Sequence, residues 1–396
     1  MASADAPTSL TNSETLIHGF LAENPALDSE LGKIEIMTDR YTDDEWASQI
    51  TKTQKKVDVK RERKYNAPKV GSNEFAETID HTVLKLDATP AQIDALCSEA
   101  RTEGFKSVCV RLYHVPRCVS NLKGSSVVVA CVIGFHEGTQ DTHSKLREAG
   151  AAVAAGAREL DVVLNHNILT KHNPPSPEST APPLNSRDST TDTITAANTA
   201  VNTRPRNGTS ATEGPYSVQS SSPPPTPIVP TDPEEIPDYS AIYTELATIR
   251  SLCPSPTVLK LIFETSQLTP AQILAASHLA AAANFDFIKT STGFNGPGAQ
   301  LGDVQLMVAA CEYLSTKTQS NGGSPMSGRK MQVKASGGIR SLEDAVKMLE
   351  AGATRLGTSS GIWIMQESRR VGEEGEGSRP GGVTRLYTDD SVGAEY

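Results

Sequence analysis

Eight times along this chain, a short run of β-branched and apolar residues is followed by a longer Ala- and Leu-rich stretch of helical character. The β-like runs are Glu77–Leu84, Ser107–Arg111, Val127–Phe135, Glu159–Asn165, Val258–Glu264, Phe287–Thr292, Gln332–Ser336 and Arg355–Thr358. The helical runs between and after them include Pro90–Glu103, Val115–Leu122, Thr142–Gly156, Tyr239–Leu252, Pro270–Ala283, Gly302–Leu314 and Leu342–Ala351, with a last one near Trp363. Alternation of this kind predicts a parallel sheet, because each strand must be carried back across a helix before the next can pair in the same direction. Thr89-Pro90 and Thr269-Pro270 are N-cap and first-turn signals at two helix starts. Eight units closing on themselves make a (β/α)8 TIM barrel, an α/β fold of ~250 residues. An open doubly wound sheet fits less well, since no GxGxxG follows the first strand.

The repeat is interrupted once. Residues 71–170 and 239–366 carry it, and half of the intervening residues 171–238 are Pro, Ser or Thr. That composition cannot bury enough apolar surface to offset its ordering entropy. It explains the 37% hydrophobic content of the whole chain, low for a folded domain. The expected organisation is one barrel domain with a long disordered insert after strand four. A partly helical N-terminal extension (1–70) and a disordered tail (367–396) flank it. A helix is expected near Glu14–Glu23, and the basic stretch from Lys52 to Lys64 reads as a solvated, charged helix, with a nuclear signal or phosphate-binding arm as alternatives.

Several classes of protein are disfavoured. No apolar run approaches the ~20 residues that span a bilayer, and Met1 to Leu10 lacks the pattern of a signal peptide. A net charge of −10 argues against a general nucleic-acid binder. Cys97, Cys109, Cys118, Cys131, Cys253 and Cys311 form no CxxC pair and no Cys/His zinc spacing, and read as reduced thiols of a cytoplasmic protein. His81, His136 and His143 show no ligand spacing, so neither metal nor cofactor is expected.

Polar residues inside otherwise apolar strands single themselves out. Lys289 and Lys334 lie in strands six and seven, neighbours in a barrel. If both point inward, burial and mutual repulsion lower a lysine pKa, and a neutral amine can form a Schiff base with a carbonyl. Asp161, in Glu159-Leu160-Asp161-Val162-Val163, is expensive there unless paired, and beside two lysines it would accept and return protons. Asp80 in strand one, with Thr82 two residues on, is similar. Lys260 and Glu264 share parity in strand five and read as a buried ion pair. Ser336-Gly337-Gly338 after strand seven, and Gly357-Thr358-Ser359-Ser360-Gly361 at strand eight, suit an anion held by backbone N–H groups and hydroxyls at the loops where barrels often bind phosphate. Gly293 extends that cradle. Cys109 reads as a small core residue, and Tyr396 as a lid only if the tail folds back.

The stretches Thr78–Lys85, Ser107–Val110, Glu159–Val163, Leu259–Thr265, Phe287–Phe294 and Val333–Arg340 occur in family order and closely resemble deoxyribose-phosphate aldolases. The resemblance covers both barrel blocks, but not the insert or the two ends. It implies a metal-free class I aldolase that reversibly cleaves 2-deoxy-D-ribose 5-phosphate to D-glyceraldehyde 3-phosphate and acetaldehyde, in deoxyribonucleotide catabolism. It makes Lys289 the Schiff-base lysine, Lys334 its perturbing neighbour and Asp161 the proton relay. Asp80, Thr82, Cys109 and Thr292 become substrate-side residues, and Gly293, Gly337, Gly338, Gly357, Ser359 and Ser360 the phosphate cradle. The partner implied is a small sugar phosphate, with a homo-oligomer left open.

Two loops depart from the family pattern. Arg111-Leu112-Tyr113 stands where Asn-Pro is usual near Cys109, and Gly134-Phe135-His136-Glu137-Gly138 where Gly-Phe-Pro is usual. Two other readings stay open: another Schiff-base aldolase of sugar phosphates, or a barrel scaffold whose run Ser221–Pro227 recruits SH3- or WW-type modules. The intact Lys289, Lys334 and Asp161 weigh against the scaffold.

Overall fold

The structure, a computed structural model, describes residues 12–23, 25, 37, 41–60, 62–171, 236–320 and 330–374. The expectations for the insert, its Pro-rich docking run and Tyr396 lie outside these residues. Eight strands, β1 (Ile79–Thr82), β2 (Ser107–Val110), β3 (Val128–Ile133), β4 (Glu159–Val163), β5 (Val258–Ile262), β6 (Phe287–Lys289), β7 (Gln332–Ser336) and β8 (Arg355–Thr358), form a closed barrel in sequence order. Every neighbouring pair is parallel, and β8 returns to β1. The (β/α)8 expectation holds.

Twelve α-helices accompany the strands among the described residues: α1 (Asn12–Glu23), α2 (Asp43–Lys56), α3 (Asn73–Ala76), α4 (Pro90–Glu103), α5 (Val115–Asn121), α6 (Thr142–Ala154), α7 (Asn167–Thr170), α8 (Tyr239–Leu252), α9 (Pro270–Ala282), α10 (Leu301–Ser320), α11 (Leu342–Glu350) and α12 (Gly361–Glu374). Thr89 and Thr269 close capping boxes with Gln92 and Gln272, and a proline sits in the first turn of each helix. These caps satisfy backbone donors that a helix start otherwise leaves open.

Strand parity decides what lies on each side of the sheet. Val108, Val110, Leu160, Val162, Leu259, Leu261, Ile288 and Val333 turn outward into the main hydrophobic core. Their alternate neighbours, among them Asp80, Glu159, Asp161, Lys260, Lys289, Lys334 and Arg355, turn into the barrel and are buried there. No helix among the described residues is long and apolar enough to cross a membrane.

Three local expectations change. The basic stretch is helical only to Lys56; beyond it the chain lies along the barrel. There Arg63 pairs with Glu312 at 3.0 Å and Lys64 with Glu350 at 2.8 Å. These residues do not continue the helix. The preceding helix α2 is not merely solvated either: Trp46, Ile50 and Thr53 are buried, with Trp46 against Tyr243 of α8 at 4.9 Å between ring centres and Thr53 Oγ1 2.8 Å from His278 Nδ1 of α9. At the other end, α12 continues past position 366 to Glu374. Ser368 is buried, and Arg369 makes two hydrogen bonds to Glu103 of α4.

Candidate active site

The barrel interior holds one connected charge centre. Register places Lys289 beside Lys334 and Asp161 beside Lys260. Asp161 is the hub: one carboxylate oxygen, Oδ2, accepts from Lys289 Nζ at 2.8 Å and from Lys334 Nζ at 2.8 Å, and the other, Oδ1, from Lys260 Nζ at 2.7 Å. Lys334 also reaches Asp80 Oδ2 at 2.6 Å, and Lys260 reaches Glu159 Oε2 at 2.6 Å. Arg355, entering from the start of β8, bonds Asp80 Oδ1 at 2.7 Å and Glu159 Oε2 at 3.1 Å. Ser107 donates to Asp80 as well.

The balance of this centre has a chemical consequence. Lys260, Lys289, Lys334 and Arg355 face the carboxylates of Asp80, Glu159 and Asp161, and the buried Glu264 lies close enough to act on Lys289. Burial lowers the pKa of Lys289, and the positive charge of Lys334 lowers it further against the pull of Asp161. Burial acts on Lys334 and Lys260 too, but two carboxylates around Lys334 and three around Lys260 outweigh it and hold both above the ordinary lysine range. Burial alone would raise Asp161; its three lysine neighbours hold it far below the usual carboxylate range. Asp80 follows the same logic under Arg355, Lys334 and Lys260. The arrangement sets one lysine whose pKa is lowered beside a carboxylate whose pKa is lowered and a second lysine whose pKa is raised.

The other residues singled out in the sequence fall into two groups. Cys109 lies on β2 with its Sγ 3.9 Å from Asp161 Oδ2, and burial pushes its thiol up to about 11. It is thus a neutral, space-filling wall. Thr82 is spent on its own turn, donating to the Asp80 carbonyl, and Thr292 hydrogen-bonds Glu264. Asp80 is fully committed to the charge network and sits behind Lys334.

The cradle residues cluster at the ends of β6, β7 and β8. Gly293 and Gly337 both have positive φ, and a side chain on Gly337 would place its Cβ 2.9 Å from Gly298 Cα. Two loops can therefore touch there only through glycine. Gly338 follows, also at positive φ. Ser359 and Ser360 precede the N-terminus of α12, the end of a helix that attracts anions. Gly357 belongs to β8, in register with Ser336 of β7, and faces inward, where a Cβ would meet Ser336 Oγ and, at 3.0 Å, Lys334 Cε. Its lack of a side chain leaves room for both. The hydroxyls of Ser336, part of the expected anion loop, and of Ser291, which sequence reasoning passed over, are buried there without a partner.

An eight-stranded parallel barrel with two inward lysines on adjacent strands, a shared aspartate and a glycine-lined anion loop defines a carbon–carbon lyase of the aldolase type. The profile of the DeoC/LacD family aldolases matches residues 243–367. A deoxyribose-phosphate aldolase of Coccidioides immitis (strain RS) is 38% identical over 305 residues, covering 77% of this chain and 84% of that protein. One of Carboxydothermus hydrogenoformans is 36% identical over 300 residues, 75% of this chain and 96% of that protein. A crystal structure of a candidate deoxyribose-phosphate aldolase from Coccidioides immitis superposes with a TM-score of 0.61 at 34% identity, covering 84% of this chain and all of that one. The chain belongs to the deoxyribose-phosphate aldolase family.

Proposed function

We propose that the protein reversibly cleaves 2-deoxy-D-ribose 5-phosphate to D-glyceraldehyde 3-phosphate and acetaldehyde through a Schiff base on Lys289, as a step of deoxyribonucleotide catabolism. The observation that carries this reading is the convergence of Lys289 and Lys334 on one oxygen of Asp161, at 2.8 Å each. Neutral Lys289 attacks the C1 aldehyde of the open-chain sugar, and the carbinolamine loses water to give the protonated imine. Asp161, Lys334 and water carry the protons of that step. Removal of the C3 hydroxyl proton then breaks the C2–C3 bond. Its electrons flow into the imine, and glyceraldehyde 3-phosphate leaves. The enamine that remains is protonated at C2 and hydrolysed to acetaldehyde, which restores Lys289. The phosphate rests on Gly293, Gly337 and Gly338, with Ser359 and Ser360 at the α12 N-terminus.

Six cysteines that are all free and buried support placing the enzyme in the reducing cytoplasm. A coupled assay of glyceraldehyde 3-phosphate release from 2-deoxyribose 5-phosphate tests the proposal. Turnover is expected, and a purified, folded protein that cleaves other sugar phosphates but not this one would replace the substrate in this reading.

A further inference from the structure

Glu264 stands just past the end of β5 with φ 47°, in the left-handed region that glycine and asparagine adopt readily and a glutamate adopts only with strain. Its side chain is buried. Lys260, on the same strand, is bound to Asp161 and Glu159 instead, so the carboxyl group of Glu264 is free to serve elsewhere. It turns to the next strand end. There Oε2 accepts from the Thr292 hydroxyl and, at 3.4 Å, from the Thr292 backbone N–H. The Thr292 hydroxyl in turn accepts from the Phe294 N–H at 3.1 Å. The residues on both sides of Gly293 are thus held from one buried carboxyl group.

Further contacts carry that hold across the mouth. Ser266, in the short turn after Glu264, donates to the Asn295 carbonyl at 2.9 Å. The same loop then reaches β7. The Ala299 N–H donates to the Gly337 carbonyl at 3.0 Å, and Gly298 lies so close to Gly337 that a Cβ on either would strike the other's backbone. The loops after β5, β6 and β7 therefore form one line of contacts. It frames Gly293, Gly337 and the buried, unpartnered hydroxyls of Ser291 and Ser336.

We infer that Glu264 is a positioning residue for the phosphate of the substrate: through Thr292 it fixes the loop from 292 to 299 against Gly337, so that the glycine cradle has its shape before the anion arrives. This rests on the reading of Gly293, Gly337 and Gly338 as the phosphate cradle. A loop ordered in advance spares the ligand the entropy of ordering it. What Thr292 requires from position 264 is an acceptor oxygen at the right reach, which an amide supplies as well as a carboxylate. Lys289 also lies within electrostatic reach of Glu264, and the presence or absence of the phosphate separates a role on that amine from a role on the loop.

The test reads kcat/KM for cleavage of 2-deoxyribose 5-phosphate and of unphosphorylated 2-deoxyribose with the full chain, and takes their ratio. Glu264→Asp keeps the charge but falls a methylene short of Thr292; it is expected to lower the ratio by about tenfold or more, with the loss in KM for the phosphorylated sugar. Glu264→Ala, a second way to withdraw the acceptor, is expected to follow it. Glu264→Gln removes the charge but keeps the acceptor, and is expected to hold the ratio within about threefold of the unmodified protein. Equal losses on both sugars in the folded variants overturn the inference, and so does the reverse order, with Glu264→Asp intact and Glu264→Gln impaired. An unmodified protein that cleaves both sugars equally well defeats the phosphate-cradle reading itself, and the inference with it.

Discussion

The positive charge of Lys334 lowers the pKa of Lys289 beside it, and under the proposed mechanism that sets the pH at which Lys289 works. Removal of Lys334 takes away the like-charge repulsion and leaves Lys289 alone on Asp161 Oδ2, so the pKa of Lys289 is expected to rise. The amine is reactive only when neutral, and its neutral fraction grows as pH climbs through that pKa. In Lys334→Met the rising limb of the kcat/KM–pH profile is therefore expected to move to higher pH. The rate at pH 7 is expected to fall by about a hundredfold or more. An unmoved limb with only a lower plateau would show that Lys334 contributes by contact alone. At this scale the sequence was informative but incomplete. Lys289, Lys334 and Asp161 stand out because a charge inside an apolar strand demands a reason. Lys260 shows how the same signal misleads, since Glu264 on its own strand looked like its partner. Its true partners are Asp161 and Glu159, on β4, and a pairing 99 residues apart in sequence becomes visible only when the strands are in register. Arg355 and Glu159 sit at strand starts, where a charge looks ordinary, and so the lower tier of the centre was not legible.

The barrel elements were legible for a different reason: period-two strands and capped helices alternate eight times, and each element satisfies a local rule. Only the basic end of helix α2, from Lys52, was legible, because charged residues dominate its composition. Its buried stripe consists of only Trp46, Ile50 and Thr53, narrow for an amphipathic helix. Yet Trp46 is 1% exposed, lodged among Tyr41, Tyr243 and His278. Trp46→Ala is expected to lower stability by about 3–5 kcal/mol, read as the shift of a denaturation midpoint, with the site chemistry of the surviving folded protein unchanged. A change below about 1 kcal/mol would mean that α2 is loosely held. The continuation of α12 to Glu374 was likewise hidden: the sequence there is polar, and its support, the paired hydrogen bonds from Arg369 to Glu103, comes from a helix far away along the chain.

At the scale of the molecule, one barrel absorbs additions at the outer ends of its elements while its interior stays continuous. The insert leaves after α7 and the chain returns at α8, whose Glu245 holds the buried Lys145 of α6 at 2.6 Å. Lys145 also bonds the Val163 carbonyl at the end of β4. The charge centre is therefore tied together across the insertion by residues of the barrel itself. Joining residue 171 to 236 spares Asp238, which caps α8, and shortens a loop whose closure costs only slowly with length. That variant is expected to keep kcat/KM within about threefold; a loss of activity with an intact fold would assign the insert a part in the site. The proposed Schiff base on Lys289 is tested most directly by borohydride reduction of the protein in the presence of acetaldehyde or 2-deoxyribose 5-phosphate, followed by peptide mass mapping. An ethyl group on Lys289, lost in Lys289→Arg together with activity, is the predicted result. An adduct on Lys334 or Lys260, or turnover with no reducible adduct at all, would contradict it.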